Sequence, residues 1–144
     1  MQPDLRGSEP CMSSVVMDSL DASVLVLGGS GFLGSHLVDL LTSRGAKVRI
    51  LDRLECSCWL SSEIEFLKGD ILNYSLLLKA MKGIDVVFHT ASLTDPHRSN
   101  ADLFKVNVEG TKNVIAACLA SCVKKLVYTS TSAVAIDGTE IKVI

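Results

Sequence analysis

The stretch SVLVLGGSGFLG, residues 23–34, contains the pattern that decides the fold of this chain. Residues 24–27 are all apolar, which is typical of a strand that is buried on both faces of a parallel sheet. Glycine then recurs every third residue, at Gly28, Gly31 and Gly34. The sequence therefore predicts a strand that turns sharply at Gly28 and runs directly into a helix.

Apolar runs alternate with amphipathic stretches along the rest of the chain. Further strands are predicted over residues 47–52, 64–69, 85–90 and 125–130. Helices are predicted over residues 31–44, 73–81 and 102–121, with Asn73 as an N-terminal cap and Gly45 as a C-terminal cap. Residues 53–63 are poorly periodic, and we predict an irregular loop there.

Alternation of strands and helices predicts a doubly wound α/β fold with a parallel sheet in the order 3-2-1-4-5. The predicted inward-facing residues are Leu33, Leu37, Leu40 and Leu41 in the first helix, Leu76, Leu77 and Ala80 in the second, and Val106, Gly110, Val114 and Ala117 in the third.

Composition excludes several classes of protein. The 144 residues carry 16 acidic and 14 basic side chains, a net charge of −2, so we expect no nucleic acid partner that binds through bulk positive charge. Residues 1–22 lack the basic start and apolar centre of a signal peptide, and we predict a mobile tail there. No apolar run approaches the roughly 18 residues of a membrane span. We therefore expect a cytoplasmic chain.

The five cysteines do not form a recognisable framework. Their number is odd, and only one residue separates Cys56 from Cys58, whereas zinc-binding pairs usually run C-x₂₋₄-C. A four-thiolate site with Cys118 and Cys122 remains the alternative. We expect free thiols in a reducing compartment and no metal.

The glycine turn has a specific chemical use. Gly28 permits the sharp turn, Gly31 leaves room for a pyrophosphate, and Gly34 lets the helix pack closely on the sheet. The N-terminus of the helix offers free N–H groups and a partial positive charge. Asp52 lies eighteen residues past Gly34, at the end of the second strand, where a carboxylate accepts both ribose hydroxyls of an adenosine. The alternative is a glycine turn with only a packing role.

We therefore predict a Rossmann-type NAD(P)-binding fold, with residues 23–144 as a dinucleotide-binding domain that is incomplete at its C-terminus after about five strands. The charge of Asp52 repels a 2′-phosphate and favours NAD over NADP. The neighbouring Arg53 is the competing signal, because a guanidinium pairs well with that phosphate.

Five motifs occur in an order that resembles the extended short-chain dehydrogenase/reductases. They are GGSGFLGSHLV (28–38), KGDILN (68–73), VVFHTAS (86–92), KVNVEGTKNVI (105–115) and LVYTSTSAV (126–134). Within that superfamily the chain resembles the 3β-hydroxysteroid dehydrogenase group, in particular its sterol dehydrogenases, over residues 23–141. The resemblance implies an NAD-dependent oxidoreductase that oxidises a 3β-hydroxyl to a ketone by hydride transfer.

The resemblance also implies roles for individual residues. Asp70 and Ile71 would contact the adenine ring, although Asp70 could instead cap the following helix. Asn107 would brace the adjacent strand ends, and Thr131 would hydrogen-bond the substrate oxygen, unless it only belongs to a Ser/Thr cluster that ends a strand. We interpret His89 as structural. The full set of implied cofactor-binding residues is Gly28, Ser30, Gly31, Phe32, Leu33, Gly34, Asp52, Arg53, Asp70, Ile71, Thr90, Ala91, Ser92, Asn107 and Thr129.

The acid–base pair of the family, a Tyr followed four residues later by a Lys, is missing. Tyr74 is followed at that distance by Leu78, and Tyr128 by Ser132. We expect the chain alone to be inactive and its fifth strand to form an open apolar edge that associates, with a homodimer as one outcome. The alternatives are an inactive nucleotide-binding fragment or isoform, or another extended-family epimerase or reductase. For longer relatives the resemblance implies a sterol or steroid substrate and an association with the endoplasmic reticulum.

Overall fold

The computed structural model describes residues 21–55, 64–95 and 97–131. A five-stranded parallel sheet in the order β3-β2-β1-β4-β5 runs through this part of the chain, as predicted. Its strands are β1 (Ser23–Leu27), β2 (Lys47–Asp52), β3 (Glu65–Lys68), β4 (Val86–His89) and β5 (Lys125–Tyr128). The helices are α1 (Phe32–Ser43), α2 (Tyr74–Ala80), α3 (Asn100–Phe104) and α4 (Thr111–Ala120), and a π-helical segment, Lys105–Gly110, joins α3 to α4.

Both faces of β1 are buried, which explains why this strand has no polar alternation. Val24 and Val26 point to the layer that contains α1, where they pack in one cluster with Val38. Leu25 and Leu27 point to the opposite layer and belong to the cluster that includes residues of α2 and α4. Successive side chains of a strand alternate between faces, so a strand between two helical layers must be apolar throughout.

The buried face of α1 differs from the predicted one. Gly34, Val38 and Leu41 are buried, whereas Leu33 and Leu40 are 52% and 46% exposed. The prediction placed the four leucines of α1 on the buried face. The observed face follows Gly34 instead, because a residue without a side chain lets the helix approach the turn before it most closely.

The helix predicted over residues 102–121 begins earlier and is not uniform. It starts at Asn100, because the side chain of Ser99 accepts a hydrogen bond from the Asp102 N–H (3.1 Å) and caps the first turn. The π-helical segment then interrupts it before α4. The inward face of the π-helical segment and α4 is as predicted, because Gly110, Val114 and Ala117 are buried. Asn73 caps α2 as predicted, accepting from the Leu76 N–H at 3.1 Å.

β5 is the edge strand of the described sheet, and Leu126, Val127 and Tyr128 are all exposed on it. In the described part of the chain, no helix is long and apolar enough to cross a membrane. Residues 1–20 of the tail predicted over residues 1–22 lie outside the described residues, as do residues 56–63 of the predicted loop. Cys11, Cys56 and Cys58 lie in these two segments.

Two described cysteines lie at the end of α4, and both are free thiols. Cys118 is buried, and burial raises the pKa of its thiol. Cys122 has a φ of 53°, a left-handed conformation that glycine usually adopts at this position. The Cys122 N–H donates to the Leu119 carbonyl and the Val123 N–H to the Cys118 carbonyl, so the helix ends in a Schellman motif.

Replacing Cys122 with glycine should therefore stabilise the chain. We expect Cys122→Gly to raise the free energy of unfolding by about 0.5–1 kcal/mol, because the steric cost of the left-handed conformation disappears. Urea denaturation followed by circular dichroism measures the difference. The matched control is Cys122→Ala, which removes the thiol but keeps the strained backbone, and it should give no gain. Equal stability of the two variants would contradict the explanation.

Candidate functional site

A cleft of about 230 Å³ opens at the carboxyl ends of β1, β2, β3 and β4. The register of the sheet creates it, because Leu27 of β1 is paired with Leu51 of β2 on one side and with His89 of β4 on the other. Ten of the residues proposed for cofactor binding line this cleft: Gly28, Ser30, Gly31, Asp52, Arg53, Asp70, Ile71, Thr90, Ala91 and Ser92. The fold therefore brings most of the candidate residues together in one cleft.

Gly28 has a backbone conformation and a position that no other residue fits. Its φ is +84°, and a Cβ on it would lie 2.7 Å from the Ala91 nitrogen. The turn it starts is closed by a hydrogen bond from the Gly31 N–H to the Gly28 carbonyl at 3.1 Å. The end of β1 and the loop after β4 can approach each other only because this residue has no side chain.

Gly34 and Gly31 serve different purposes. A Cβ on Gly34 would overlap the Gly28 carbonyl oxygen and lie 2.8 Å from the Gly29 Cα, so α1 packs on the turn backbone to backbone. A Cβ on Gly31 would meet only the Gly28 oxygen, at 3.3 Å, and Gly31 lines the cleft. Gly34 is therefore a packing position, and Gly31 keeps the cleft open.

The N-terminus of α1 is directed by this turn and has no side-chain cap. Gly31 occupies the cap position, and no acidic residue lies in the first turn. The first N–H groups of an α-helix lack partners inside the helix, and they carry the positive end of its dipole. The side chains of Phe32 and Leu33 are exposed and do not line the cleft. These two residues can therefore reach a ligand only through their backbone N–H groups.

The carboxylate of Asp52 is fixed at the end of β2 by two backbone donors. Oδ2 accepts from the Ser30 N–H at 3.0 Å, and Oδ1 accepts from the Leu54 N–H at 3.2 Å. One donor belongs to the glycine turn and the other to the residues after β2. The negative charge therefore stands at the cleft in a defined orientation, with the exposed Arg53 beside it.

Asp70 forms the turn that leads from β3 to α2. Its Oδ1 accepts from the Leu72 N–H at 3.0 Å, and its carbonyl accepts from the Asn73 N–H at 2.9 Å. The alternative prediction that Asp70 caps α2 is wrong, because the capping side chain is that of Asn73. The turn places Asp70 and Ile71 in the lining of the cleft.

Two threonine hydroxyls tie strand ends together. Thr90 Oγ1 donates to the Leu27 carbonyl at 2.8 Å, and Thr129 Oγ1 donates to the His89 carbonyl at 2.9 Å. Thr90 also lines the cleft, whereas Thr129 and Thr131 lie outside its lining, beyond the end of β5. Thr129 was predicted to contact the cofactor, but it is not among the residues that line the cleft.

Asn107 makes the most specific side-chain contact near the cleft. Its Oδ1 accepts from the Leu93 N–H at 2.7 Å, and its Nδ2 donates to the Leu93 carbonyl at 2.8 Å. The amide therefore braces the loop after β4, close to the strand ends for which the bracing role was predicted. Asn107 is not itself part of the lining, but its neighbour Val106 is.

His89, the last residue of β4, is fully buried and lies outside the lining of the cleft. Its Nε2 is 3.0 Å from Thr111 Oγ1, and its ring stacks on Tyr128 with a centroid separation of 5.0 Å. Burial lowers the pKa of the imidazole to about 4. A neutral, enclosed imidazole fits the structural interpretation of His89 rather than a catalytic one.

Sequence reasoning missed four residues of the lining: Leu51, Leu54, Gly69 and Val106. Leu51, Leu54 and Gly69 are chain neighbours of residues that were proposed, so their positions could have been inferred from the strand ends. Val106 is likewise the chain neighbour of the proposed Asn107, but the π-helical segment that presents it to the cleft has no signature in the periodicity. In the three described ranges, no group of three or more His, Cys, Asp or Glu residues is placed to hold a metal ion.

The five parallel strands, the flanking helices and the cleft at the strand ends define a doubly wound α/β fold of the Rossmann type. The sequence profile of the 3-beta hydroxysteroid dehydrogenase/isomerase family matches residues 25–144. The chain belongs to that family, which confirms the resemblance stated from its motifs.

The names of individual relatives agree with this family assignment. The chain is 42% identical to the mouse (Mus musculus) sterol-4-alpha-carboxylate 3-dehydrogenase, decarboxylating, over 81% of this chain and 32% of the relative. It is 39% identical to the 3-beta-hydroxysteroid dehydrogenase of Mycolicibacterium neoaurum, over 82% of this chain and 34% of the relative. The chain thus spans about a third of the length of the curated relatives it matches.

Solved structures show the same architecture. The UDP-glucose 4-epimerase of Thermotoga maritima matches with a TM-score of 0.74 and 30% identity, over 84% of this chain and 41% of that one. MoeE5, solved in complex with UDP-glucose and NAD, matches with a TM-score of 0.70 and 32% identity, over 82% of this chain and 40% of that one.

The difference between Gly31 and Gly34 can be measured as stability. We expect Gly34→Ala to lower the free energy of unfolding by about 1–3 kcal/mol, because the methyl group forces backbone apart. Gly31→Ala should change it by less than about 1 kcal/mol, because the backbone there is extended and only one atom is close. Chemical denaturation of both variants beside the wild type tests the assignment. Similar losses in the two variants would show that Gly31 is also a packing position.

Proposed function

We propose that this chain forms the dinucleotide-binding part, residues 23–144, of an oxidoreductase that oxidises the 3β-hydroxyl of a sterol or steroid to a ketone, with NAD as the hydride acceptor. The observation that carries the proposal is the cleft, where an uncapped helix N-terminus and a fixed carboxylate lie at the carboxyl ends of β1 and β2. The names of the curated relatives support the sterol or steroid substrate. The NAD in the MoeE5 complex supports the cofactor.

The pyrophosphate fits the N-terminus of α1. Gly31 leaves space that a Cβ would occupy, and the unpaired N–H groups of the first helical turn, including those of Phe32 and Leu33, are suitable donors to phosphate oxygens. The dipole of α1 adds a favourable interaction with the two negative charges. On this placement Ser30 and Gly31 lie beneath the pyrophosphate.

The two halves of the dinucleotide extend in opposite directions from the pyrophosphate. The adenosine half lies toward Asp52, Asp70 and Ile71, with the Asp52 carboxylate accepting the ribose hydroxyls. The nicotinamide half lies along Ala91 and Ser92 after β4. This arrangement accounts for lining residues on both sides of the glycine turn.

Asp52 decides between NAD and NADP. Both of its oxygens are held by backbone donors, so the carboxylate cannot swing away from a 2′-phosphate without losing two hydrogen bonds. Repulsion between the two anions therefore favours NAD. Arg53 is exposed beside the cleft and is the residue that would pair with a 2′-phosphate if the preference were reversed.

Asp52→Asn tests the ribose contact. We expect the variant to bind NAD more weakly by about 1–3 kcal/mol, roughly 5- to 150-fold, because a charge-assisted hydrogen bond is lost. Its affinity for NADP should not fall, because the repulsive charge has gone. Titration calorimetry with both dinucleotides measures the two changes.

Two further variants complete this experiment. Arg53→Ala is the matched control and should leave NAD binding unchanged, whereas Gly31→Ala should abolish it without unfolding the chain. Unchanged NAD affinity in Asp52→Asn would remove Asp52 from the site. A wild-type preference for NADP that disappears in Arg53→Ala would reverse the proposed cofactor.

We further propose that the 144-residue chain binds the dinucleotide but does not oxidise an alcohol. Oxidation needs a group that accepts the hydroxyl proton, and neither Tyr74 nor Tyr128 is followed four residues later by Lys. A positioned acid–base group contributes about 10²–10⁴ in rate. Thr131, beyond the end of β5, can orient a substrate oxygen, but a threonine hydroxyl is too weak a base to take the proton near neutral pH.

The expected result is no increase of NADH absorbance when the chain is mixed with NAD and a 3β-hydroxysteroid. The control is a curated relative such as the Mycolicibacterium neoaurum enzyme, assayed with the same substrate. Steady NADH production by the 144-residue chain would show that another residue supplies the base. Interconversion of UDP-sugars without net NADH would instead favour the epimerase alternative.

A further inference from the structure

The π-helical segment contacts the loop that follows β4. Asn107 holds Leu93 through both its N–H and its carbonyl, at 2.7 and 2.8 Å. Val106, one residue earlier, lines the cleft directly. One wall of the cleft is therefore supported by the continuous helix that the π-helical segment and α4 form together, residues 105–120.

The same helix also supports the opposite wall, the turn after β3. A Cβ on Gly110 would lie 2.6 Å from Cδ1 of Ile71, so the helix backbone packs directly on that side chain. Asn113 Nδ2 donates to the carbonyls of Ile71 and Leu72 at 3.4 and 3.3 Å. The separation of the two walls thus depends on where this helix sits along the sheet.

A polar contact between side chains ties this helix to a strand. His89 Nε2 lies 3.0 Å from Thr111 Oγ1, and Thr111 directly follows the π-helical segment. Among the residues that the structure describes, no other side-chain hydrogen bond joins this helix to a strand of the sheet. The stacked ring of Tyr128 holds the imidazole in place from the β5 side.

The direction of this bond follows from burial. His89 Nδ1 is buried and has no hydrogen-bond partner among the described residues. A buried N–H without an acceptor costs more than an unused lone pair, so the proton belongs on Nε2, which donates to the threonine hydroxyl. The low pKa of the imidazole keeps it neutral at physiological pH, which preserves that arrangement.

We propose that His89 is a positioning residue of the cleft: through Thr111 it fixes the π-helical segment against the end of β4 and thereby sets the separation of the two cleft walls. The consequence for dinucleotide affinity rests on the proposed function. The consequence for the Leu93 loop does not, because the contact between Asn107 and Leu93 exists without a ligand.

The Thr111 variants test the bond with minimal change of shape. Thr111→Val removes the hydroxyl, and Thr111→Ser keeps it. In Thr111→Val we expect NAD affinity to fall about fivefold and the Leu93 amide to exchange with solvent about fivefold faster, the factor that corresponds to one ordinary hydrogen bond. In Thr111→Ser both values should stay within about twofold of the wild type.

The His89 variants test the same bond from the other partner. His89→Gln places an amide N–H close to the position of the imidazole Nε2, whereas the shorter side chain of His89→Asn cannot reach Thr111. We expect His89→Gln to restore the slow Leu93 exchange that His89→Asn loses. A role confined to filling the core would not separate the two amides in this way.

Val48→Ala is the control for general loss of stability. Val48 is buried in the cluster on the α1 side of the sheet, so its truncation lowers the unfolding free energy without touching the helix in question. Its NAD affinity and local Leu93 exchange should match the wild type. If Leu93 exchange is the same in Thr111→Val as in Val48→Ala, the positioning role is overturned. If the wild type fails to bind NAD, the proposed function falls, and the exchange measurement still decides the role of His89.

Discussion

The contact of Gly34 with the backbone of Gly28 and Gly29 is the constraint on which the rest of the structure depends. It brings α1 closer to the glycine turn after β1 than any side chain would allow. Two consequences follow from this one approach. The helix must bury the face that contains Gly34, Val38 and Leu41, and its N-terminal cap, Gly31, must lie in the lining of the cleft. The packing of the core and the electrostatics of the site therefore have a common origin.

The carboxyl ends of the strands are held together mainly by bonds to backbone atoms. The Thr90 hydroxyl donates to the Leu27 carbonyl, and the Gly28 N–H donates to the Leu51 carbonyl at 3.0 Å. Such hydrogen bonds cross from one strand end to the next. They therefore fix the positions of the loops that carry the site relative to one another. A cleft bounded by strand ends is thereby rigid without needing buried charges, which would be costly to desolvate.

The sequence predicted the sheet order, the glycine turn and the Asn73 cap because each depends on neighbouring residues and on periodicity. It did not predict the exposure of Leu33 and Leu40, since counting apolar positions ignores the backbone contact that orients α1. The π-helical segment was also missed. Its irregular turn coincides with Asn107, whose partner Leu93 is 14 residues away, and a single-sequence pattern contains no information about such a pairing. In the site, the carboxylate at Asp52 was predictable from its spacing, but its two backbone donors were not.

The residues that line the cleft come from the first part of the described chain. Every residue of its lining lies between Gly28 and Val106, at the end of β2, in the loops that follow the first four strands, or in the π-helical segment. β5 contributes none, although it pairs with β4 and carries the hydroxyl-bearing residues Thr129 and Thr131 just beyond its end. On the proposed function, the dinucleotide would therefore be held by residues that precede β5. The groups that orient a substrate and move its proton can then vary while the same cleft is retained, which explains how a steroid dehydrogenase family and a sugar-nucleotide epimerase share this architecture.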